Sequence, residues 1–168
     1  MTPTTMRILI VDDEEPVADL LASFCGGPGR EVSVCTSSLE ALSRIAADPP
    51  DVLVTDIVMA RLDGLSLVRE ARQIDAHLEA IVVTGYAVDY PMEAVLESGA
   101  SDLILKPIRM KEFRARVDLA IERRRATIAR TTRQHDLQVM SIEMIDGLQR
   151  ELEEATKKAA PAPKKLAS

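Results

Sequence analysis

The chain predicts an α/β fold, a doubly wound five-stranded parallel sheet followed by a long C-terminal helix. Three observations carry this. Five short apolar, β-branched runs alternate with amphipathic stretches of helical period. Acidic or polar residues follow the first, third, fourth and fifth runs. After residue 110 the helical pattern continues far beyond the length a covering helix needs.

Arg7–Val11 reads as a strand buried on both faces, because it is apolar without alternation. Val17, Leu20, Leu21 and Phe24 then recur at helical spacing, and Gly26-Gly27-Pro28-Gly29 breaks the helix. Val32–Cys35 is the second strand. Ser38 is the expected cap of a helix carrying Leu39, Leu42 and Ile45, and Pro49-Pro50 stops it. Val52–Thr55, Ala80–Val83 and Leu103–Leu105 are the remaining strands. Leu65–Ile74 is the third helix. Residues 90–98 form the fourth, with Asp89 as its cap and Pro91 tolerated in its first turn. The last helix starts near Met110.

Composition bounds the function. The 168 residues are 46% hydrophobic, and no apolar run reaches the roughly 18 residues a membrane span needs. The N-terminus lacks the pattern of a signal peptide. Two cysteines, Cys25 and Cys35, make neither a disulfide framework nor a zinc site, so a reduced, cytoplasmic protein is expected. Two Phe, two Tyr and no Trp give no platform for stacking bases. The net charge of −6 is divided: residues 1–109 hold 18 acids and 8 bases, residues 110–168 hold 9 acids and 13 bases.

In a parallel sheet the ligand site lies beyond the carboxyl ends of the strands. Those ends carry Asp12-Asp13, Asp56, Thr84 and Lys106-Pro107. Three carboxylates, a hydroxyl and an amine would thus converge. Hard oxygen ligands in this number suit Mg²⁺, with Mn²⁺ as an alternative. Taken singly, Asp12-Asp13 reads equally well as a helix cap pair, Thr84 as a hydroxyl bonded to backbone, and Lys106 as a solvated charge. Five such groups at successive strand ends are hard to obtain by accident.

Residues 6–125 resemble the receiver domain of two-component response regulators, similar to the chemotaxis regulators. The matching pieces are Ile8–Glu14 (ILIVDDE), Asp56–Gly64 (DIVMARLDG), Val83–Ala87 (VTGYA) and Gly99–Ile108 (GASDLILKPI), in that order. The resemblance implies a flavodoxin-like strand order 2-1-3-4-5. It implies that Asp56 is the phosphoacceptor, served by a sensor histidine kinase or a phosphotransfer protein. Asp12 and Asp13 would ligate the metal with Asp56 and the backbone carbonyl of Val58. Lys106 and Thr84 would bind the phosphoryl oxygens, and Lys106-Pro107 would be a cis peptide. A carboxylate is a competent nucleophile for an acyl phosphate, whose charge a metal and a lysine can spread.

Two positions depart from the family pattern. Ala60 replaces a usual proline, which frees φ in the loop after Asp56. Leu103 stands where a switch aromatic is usual and can neither stack nor donate a hydrogen bond. Tyr86 either takes over that role or half-covers the site as a loop residue. An apolar Val58 and a bulky Tyr86 would hinder the water that hydrolyses the acyl phosphate, so slow autodephosphorylation is expected.

Beyond the receiver, residues 126–156 are expected to form a helical or coiled-coil extension, and 157–168 a disordered Pro/Ala/Lys tail. A heptad walk from Val117 through Ile121, Arg124, Ile128, Thr131, His135, Gln138, Ile142, Ile145 and Gln149 to Leu152 is apolar at six of eleven positions. Residues 110–133 hold 8 bases and 3 acids, and 134–156 hold 1 base and 6 acids. Opposed blocks favour antiparallel or staggered pairing, although solvated helix faces account for them equally well. The expected output is protein–protein association, including a homodimer through this helix. The alternative is a monomeric phosphorelay or phosphate-sink receiver. A nucleic-acid-binding regulator acting through Arg123-Arg124-Arg125 is the third reading, disfavoured by overall acidity and by the lack of room for a helix-turn-helix domain. His135-Asp136 weakly resembles a phosphoaccepting His-acid pair, but helical histidines are mostly structural.

Overall fold

The computed structural model describes residues 5–85 and 90–159. In chain order the elements are β1 (Met6–Val11), α1 (Glu15–Cys25), β2 (Arg30–Cys35), α2 (Ser38–Ala47), β3 (Val52–Asp56), α3 (Gly64–Ile74), β4 (Glu79–Thr84), α4 (Met92–Glu97), β5 (Asp102–Leu105) and α5 (Met110–Ala159). The strands form one parallel sheet of order β2-β1-β3-β4-β5. The chain divides into two units, residues 1–127 and 128–168.

Successive strand residues point to opposite faces, so each strand feeds two cores. Ile8, Ile10, Val54, Ile81, Val83 and Ile104 meet α1 and the start of α5 through Leu21, Phe113, Val117 and Ile121. Leu9, Leu53, Ala80 and Val82 meet α2, α3 and α4 through Ile45, Leu67, Val68, Ala71 and Val95. The central strands β1, β3 and β4 are buried on both faces, which explains their unbroken apolar runs, while the edge strands β2 and β5 are partly exposed.

Several boundaries differ from the sequence expectations. The cap of α2 is Ser37, whose hydroxyl accepts from the Glu40 N–H; Ser38 is the first helical residue and sends its own hydroxyl elsewhere. Helix α4 is six residues, Met92–Glu97, shorter than the expected 90–98, because Pro91 supplies no side-chain cap and Ser98 ends the turn. Asp89, its expected cap, lies outside the described residues, as does Tyr86. Helix α5 passes through Gly147 and includes residues 157–159. One mid-helix glycine costs about 1 kcal/mol against alanine, which a helix of this length absorbs.

The heptad walk along α5 is corrected at its start. Val117 and Ile121 are fully buried in the sheet core, so they are covering-helix residues and not part of a coiled-coil seam. Arg124 is not a solvated phosphate-binding charge either. Its guanidinium bonds Asp51 Oδ1 at 3.1 Å and Asp75 Oδ2 at 2.6 Å. Asp51 immediately precedes β3 and also accepts the Arg7 N–H, while Asp75 caps the end of α3. Arg125 pairs with Glu122 on its own helix.

Candidate phosphoacceptor site

The parallel strands deliver their last residues to one edge. Asp56 and Thr84 end β3 and β4, Asp12 follows β1, and Lys106 follows β5. Asp12, Asp56 and Thr84 are buried while Asp13 is exposed. One carboxylate oxygen from each of Asp12, Asp13 and Asp56 lies within 4.8 Å of the others. Lys106 Nζ is 3.3 Å from Asp56 Oδ2 and 3.6 Å from Asp12 Oδ2. The Lys106-Pro107 peptide is cis.

Each group is fixed locally. Asp12 Oδ1 accepts the Glu14 N–H at 2.9 Å, and Glu14, not the Asp12-Asp13 pair, is the N-cap position of α1. Asp56 Oδ1 accepts the Ile57 N–H at 2.9 Å, which leaves Oδ2 toward Lys106. The loop after Asp56 turns through Arg61 at φ 74°. Ala60 accepts two hydrogen bonds there, from the Ser38 hydroxyl at 3.1 Å and the Leu62 N–H at 3.0 Å. These two bonds hold the Ala60 carbonyl in place. The loop ends at Asp63, which caps α3 through the Ser66 N–H and hydroxyl.

Gly64 was not singled out by the sequence reading, although Asp63-Gly64 is part of the matching pattern. A Cβ at Gly64 would stand 1.9 Å from the Asp56 carbonyl oxygen. Only glycine lets α3 start this close to the phosphoacceptor backbone. Ser38 is another supporting residue whose role the sequence did not reveal, because its hydroxyl reaches Ala60 across 22 residues.

The electrostatics favour a bound cation. Burial pushes the Asp12 carboxyl above its ordinary range; the Glu14 N–H and Lys106 oppose this, and Asp56 and Asp13 add to it. Burial also disfavours the Lys106 ammonium, but Asp56 and Asp12 outweigh it and its pKa is raised. Asp12 Oδ2 is buried and accepts no hydrogen bond among the described residues. An orphaned buried carboxylate oxygen beside two more carboxylates fits a divalent cation with oxygen ligands. The acidic triad is consistent with the divalent metal site typical of receivers.

Leu103 is half-buried against the α2–α3–α4 face of the core. It also lines a groove of about 680 Å³ between α4, β5 and α5, where Met92, Leu96 and Leu105 are exposed beside Lys106.

A parallel sheet whose strand ends gather an acidic triad, a hydroxyl and a lysine defines a phosphoacceptor signalling module. The chain belongs to the response regulator receiver domain family, whose model matches residues 8–118. It is similar to the response regulator MprA of Mycobacterium avium (strain 104), 35% identical over 141 residues, covering 84% of this chain and 59% of that protein. MprA of Mycobacterium leprae (strain TN) is 36% identical over 118 residues, covering 70% and 52%. The chain therefore spans between half and three-fifths of the length of these curated relatives. A CheY-like receiver domain protein from Methanospirillum hungatei JF-1 superposes with TM-score 0.69 at 25% identity, covering 74% of this chain and 99% of that chain. The Francisella response regulator 1452 receiver domain gives 0.63 at 28%, covering 70% and 98%. The family is that of two-component response regulators with an aspartate phosphorylation site, and a receiver implies a histidine kinase partner. Among the described residues no helix is long and apolar enough to cross a membrane.

Proposed function

We propose that Asp56 accepts a phosphoryl group from a sensor histidine kinase, or from a phosphotransfer protein, and that the C-terminal part of α5 passes the signal on through protein–protein association. The observation that supports the first half is the Lys106 ammonium held between Asp56 and Asp12. An Asp56 carboxylate oxygen attacks phosphorus as the donor nitrogen–phosphorus bond breaks. Lys106, already 3.3 Å from Oδ2, follows the charge onto the new phosphoryl oxygens. Thr84, buried at the end of the neighbouring strand, offers its hydroxyl to the same oxygens. Asp12, Asp13, Asp56 and the Val58 carbonyl would hold Mg²⁺ or Mn²⁺, which neutralises the phosphoryl charge as it arrives.

The second half is supported by a row of large apolar side chains exposed between Leu137 and Leu152. The competing reading is a monomeric relay or phosphate sink, whose extension makes no contact. Light scattering with and without beryllofluoride, a phosphoryl mimic, separates them. Association of the full chain, lost when Leu148 and Leu152 become Glu, supports the proposal. A monomer in both states that binds no partner supports the sink.

A further inference from the structure

We propose that Ser38 is a positioning residue for the metal site. Its hydroxyl holds the Ala60 carbonyl, and with it the course of the chain through Val58. This rests on the reading that Asp12, Asp13, Asp56 and the Val58 carbonyl hold Mg²⁺, and it adds a residue of α2 to the support of that site.

Residues 57–63 join Asp56 to the start of α3, and both ends of this loop are fixed. The Ile57 N–H donates to Asp56 Oδ1 at 2.9 Å and to the Val83 carbonyl at 3.1 Å. The Ile57 carbonyl accepts the Gly64 N–H at 2.9 Å. Between these ends the chain makes a costly turn. Arg61 has φ 74°, and the Leu62 N–H reaches back to the Ala60 carbonyl at 3.0 Å. A three-residue turn with positive φ at a non-glycine residue is strained, and it persists only where its surroundings hold it.

The hold comes from α2. Ser38 is 3% exposed and donates its hydroxyl to the same Ala60 carbonyl at 3.1 Å. Among the described residues this is the one hydrogen bond that joins residues 58–62 to another element. Met59 and Leu62 also pack against the core, but apolar contacts are non-directional and do not aim a carbonyl. Nor is the Ser38 hydroxyl engaged by its own helix. Ser37 caps α2, and Ser43 bonds the Leu39 carbonyl within it.

Val58 and Met59 thus span two anchored points, Ile57 and Ala60. Consecutive Cα atoms are about 3.8 Å apart, so a shift at Ala60 reaches Val58 within two residues. Without the hydroxyl, Arg61 is freer to leave positive φ, and the Val58 carbonyl loses its second anchor. Groups that orient a metal ligand matter nearly as much as the ligand; removing one weakens metal binding by about 10- to 100-fold.

The test measures Mg²⁺ binding to the full chain by titration calorimetry, beside the Mg²⁺ dependence of Asp56 phosphorylation by acetyl phosphate. Ser38→Ala should raise the Mg²⁺ dissociation constant about tenfold and leave the phosphorylation rate at saturating Mg²⁺ unchanged. Ser37→Ala removes the cap of α2 without touching the loop. It should lower the melting temperature and leave Mg²⁺ affinity unchanged. Ser38→Ala/Arg61→Gly should recover part of the lost affinity, because glycine takes positive φ without strain. Mg²⁺ affinity unchanged in Ser38→Ala, or weakened equally in Ser37→Ala, overturns the role of Ser38 and leaves the metal site standing. A double variant that binds no tighter than Ser38→Ala overturns the route through the Arg61 turn. Absence of Mg²⁺ binding in the unsubstituted chain overturns the reading of the site on which the proposal rests.

Discussion

Lys106 Nζ lies 3.3 Å from Asp56 Oδ2 across 50 residues of sequence, because β3 and β5 each pair with β4 and end at the same edge of the sheet. The same ammonium is 3.6 Å from the buried Asp12. One cation thus restrains two carboxylates that would otherwise repel, and it stands where phosphoryl charge would develop. The second of those carboxylates remains under-satisfied, which is consistent with a divalent cation site.

Asp12→Asn should raise the melting temperature of the metal-free protein at neutral pH. The folded pKa of Asp12 is raised above its unfolded value, chiefly by burial, so its ionisation costs stability as pH rises through the carboxylate range. Removing that charge removes the cost. The same substitution should abolish most of the thermal stabilisation given by added Mg²⁺. Calorimetry with and without the ion checks both; an unchanged Mg²⁺ response would count against Asp12 as a ligand.

Gly64→Ala should destabilise the receiver by about 2 kcal/mol and slow phosphorylation of Asp56. Its Cβ would overlap the Asp56 carbonyl, so either α3 or the phosphoacceptor backbone must move. Urea unfolding and the rate of acyl phosphate formation measure the two effects. Unaltered values for both would show that the close approach is not needed.

Arg124→Ala should cost about 2 kcal/mol, since it removes the partner of Asp51 and Asp75 at the far end of β3 and α3. Burial opposes ionisation of Asp75, but the His77 N–H and Arg124 prevail and its pKa is lowered. Stability linked to Asp75 is therefore present above the unfolded carboxylate pKa and lost as pH falls through the lower folded one. In Arg124→Ala the loss on acidification should be smaller. Unfolding free energies between about pH 3 and 7 test this; equal pH slopes in the two proteins would refute it.

Much of this architecture was legible in the sequence because buried parallel strands leave unbroken apolar runs and the site residues stand at their ends. Asp12, Asp13, Asp56, Thr84 and Lys106 stand at strand ends in the sequence and at one edge of the sheet in the structure. Gly64 was not legible, because nothing in a sequence says which backbone atom a missing Cβ would strike. Arg124 was misread for the related reason that a basic triplet looks the same whether or not two distant carboxylates claim its middle member. The Ser37–Ser38 pair was offset by one because either hydroxyl can cap, and only the hydrogen bond from Ser38 to Ala60 shows which is otherwise engaged.

The acyl phosphate should persist for many minutes or longer. Val58, two residues beyond Asp56, is 43% exposed and offers an attacking water no hydrogen bond from its side chain. Val58→Asn should shorten the lifetime several-fold. Phosphoprotein gels after removal of the donor give both rates, and a lifetime of seconds in the unsubstituted chain would contradict this account.

The central claim is that Asp56 carries the phosphoryl group in a reaction that needs a divalent cation. Incubation of the full chain with acetyl phosphate and Mg²⁺, followed by intact-mass and peptide mass spectrometry, tests it most directly. One phosphoryl group per chain is expected, on the peptide containing Asp56, absent with chelator and absent in Asp56→Asn. Undiminished phosphorylation of Asp56→Asn, or phosphate found on His135, would contradict it.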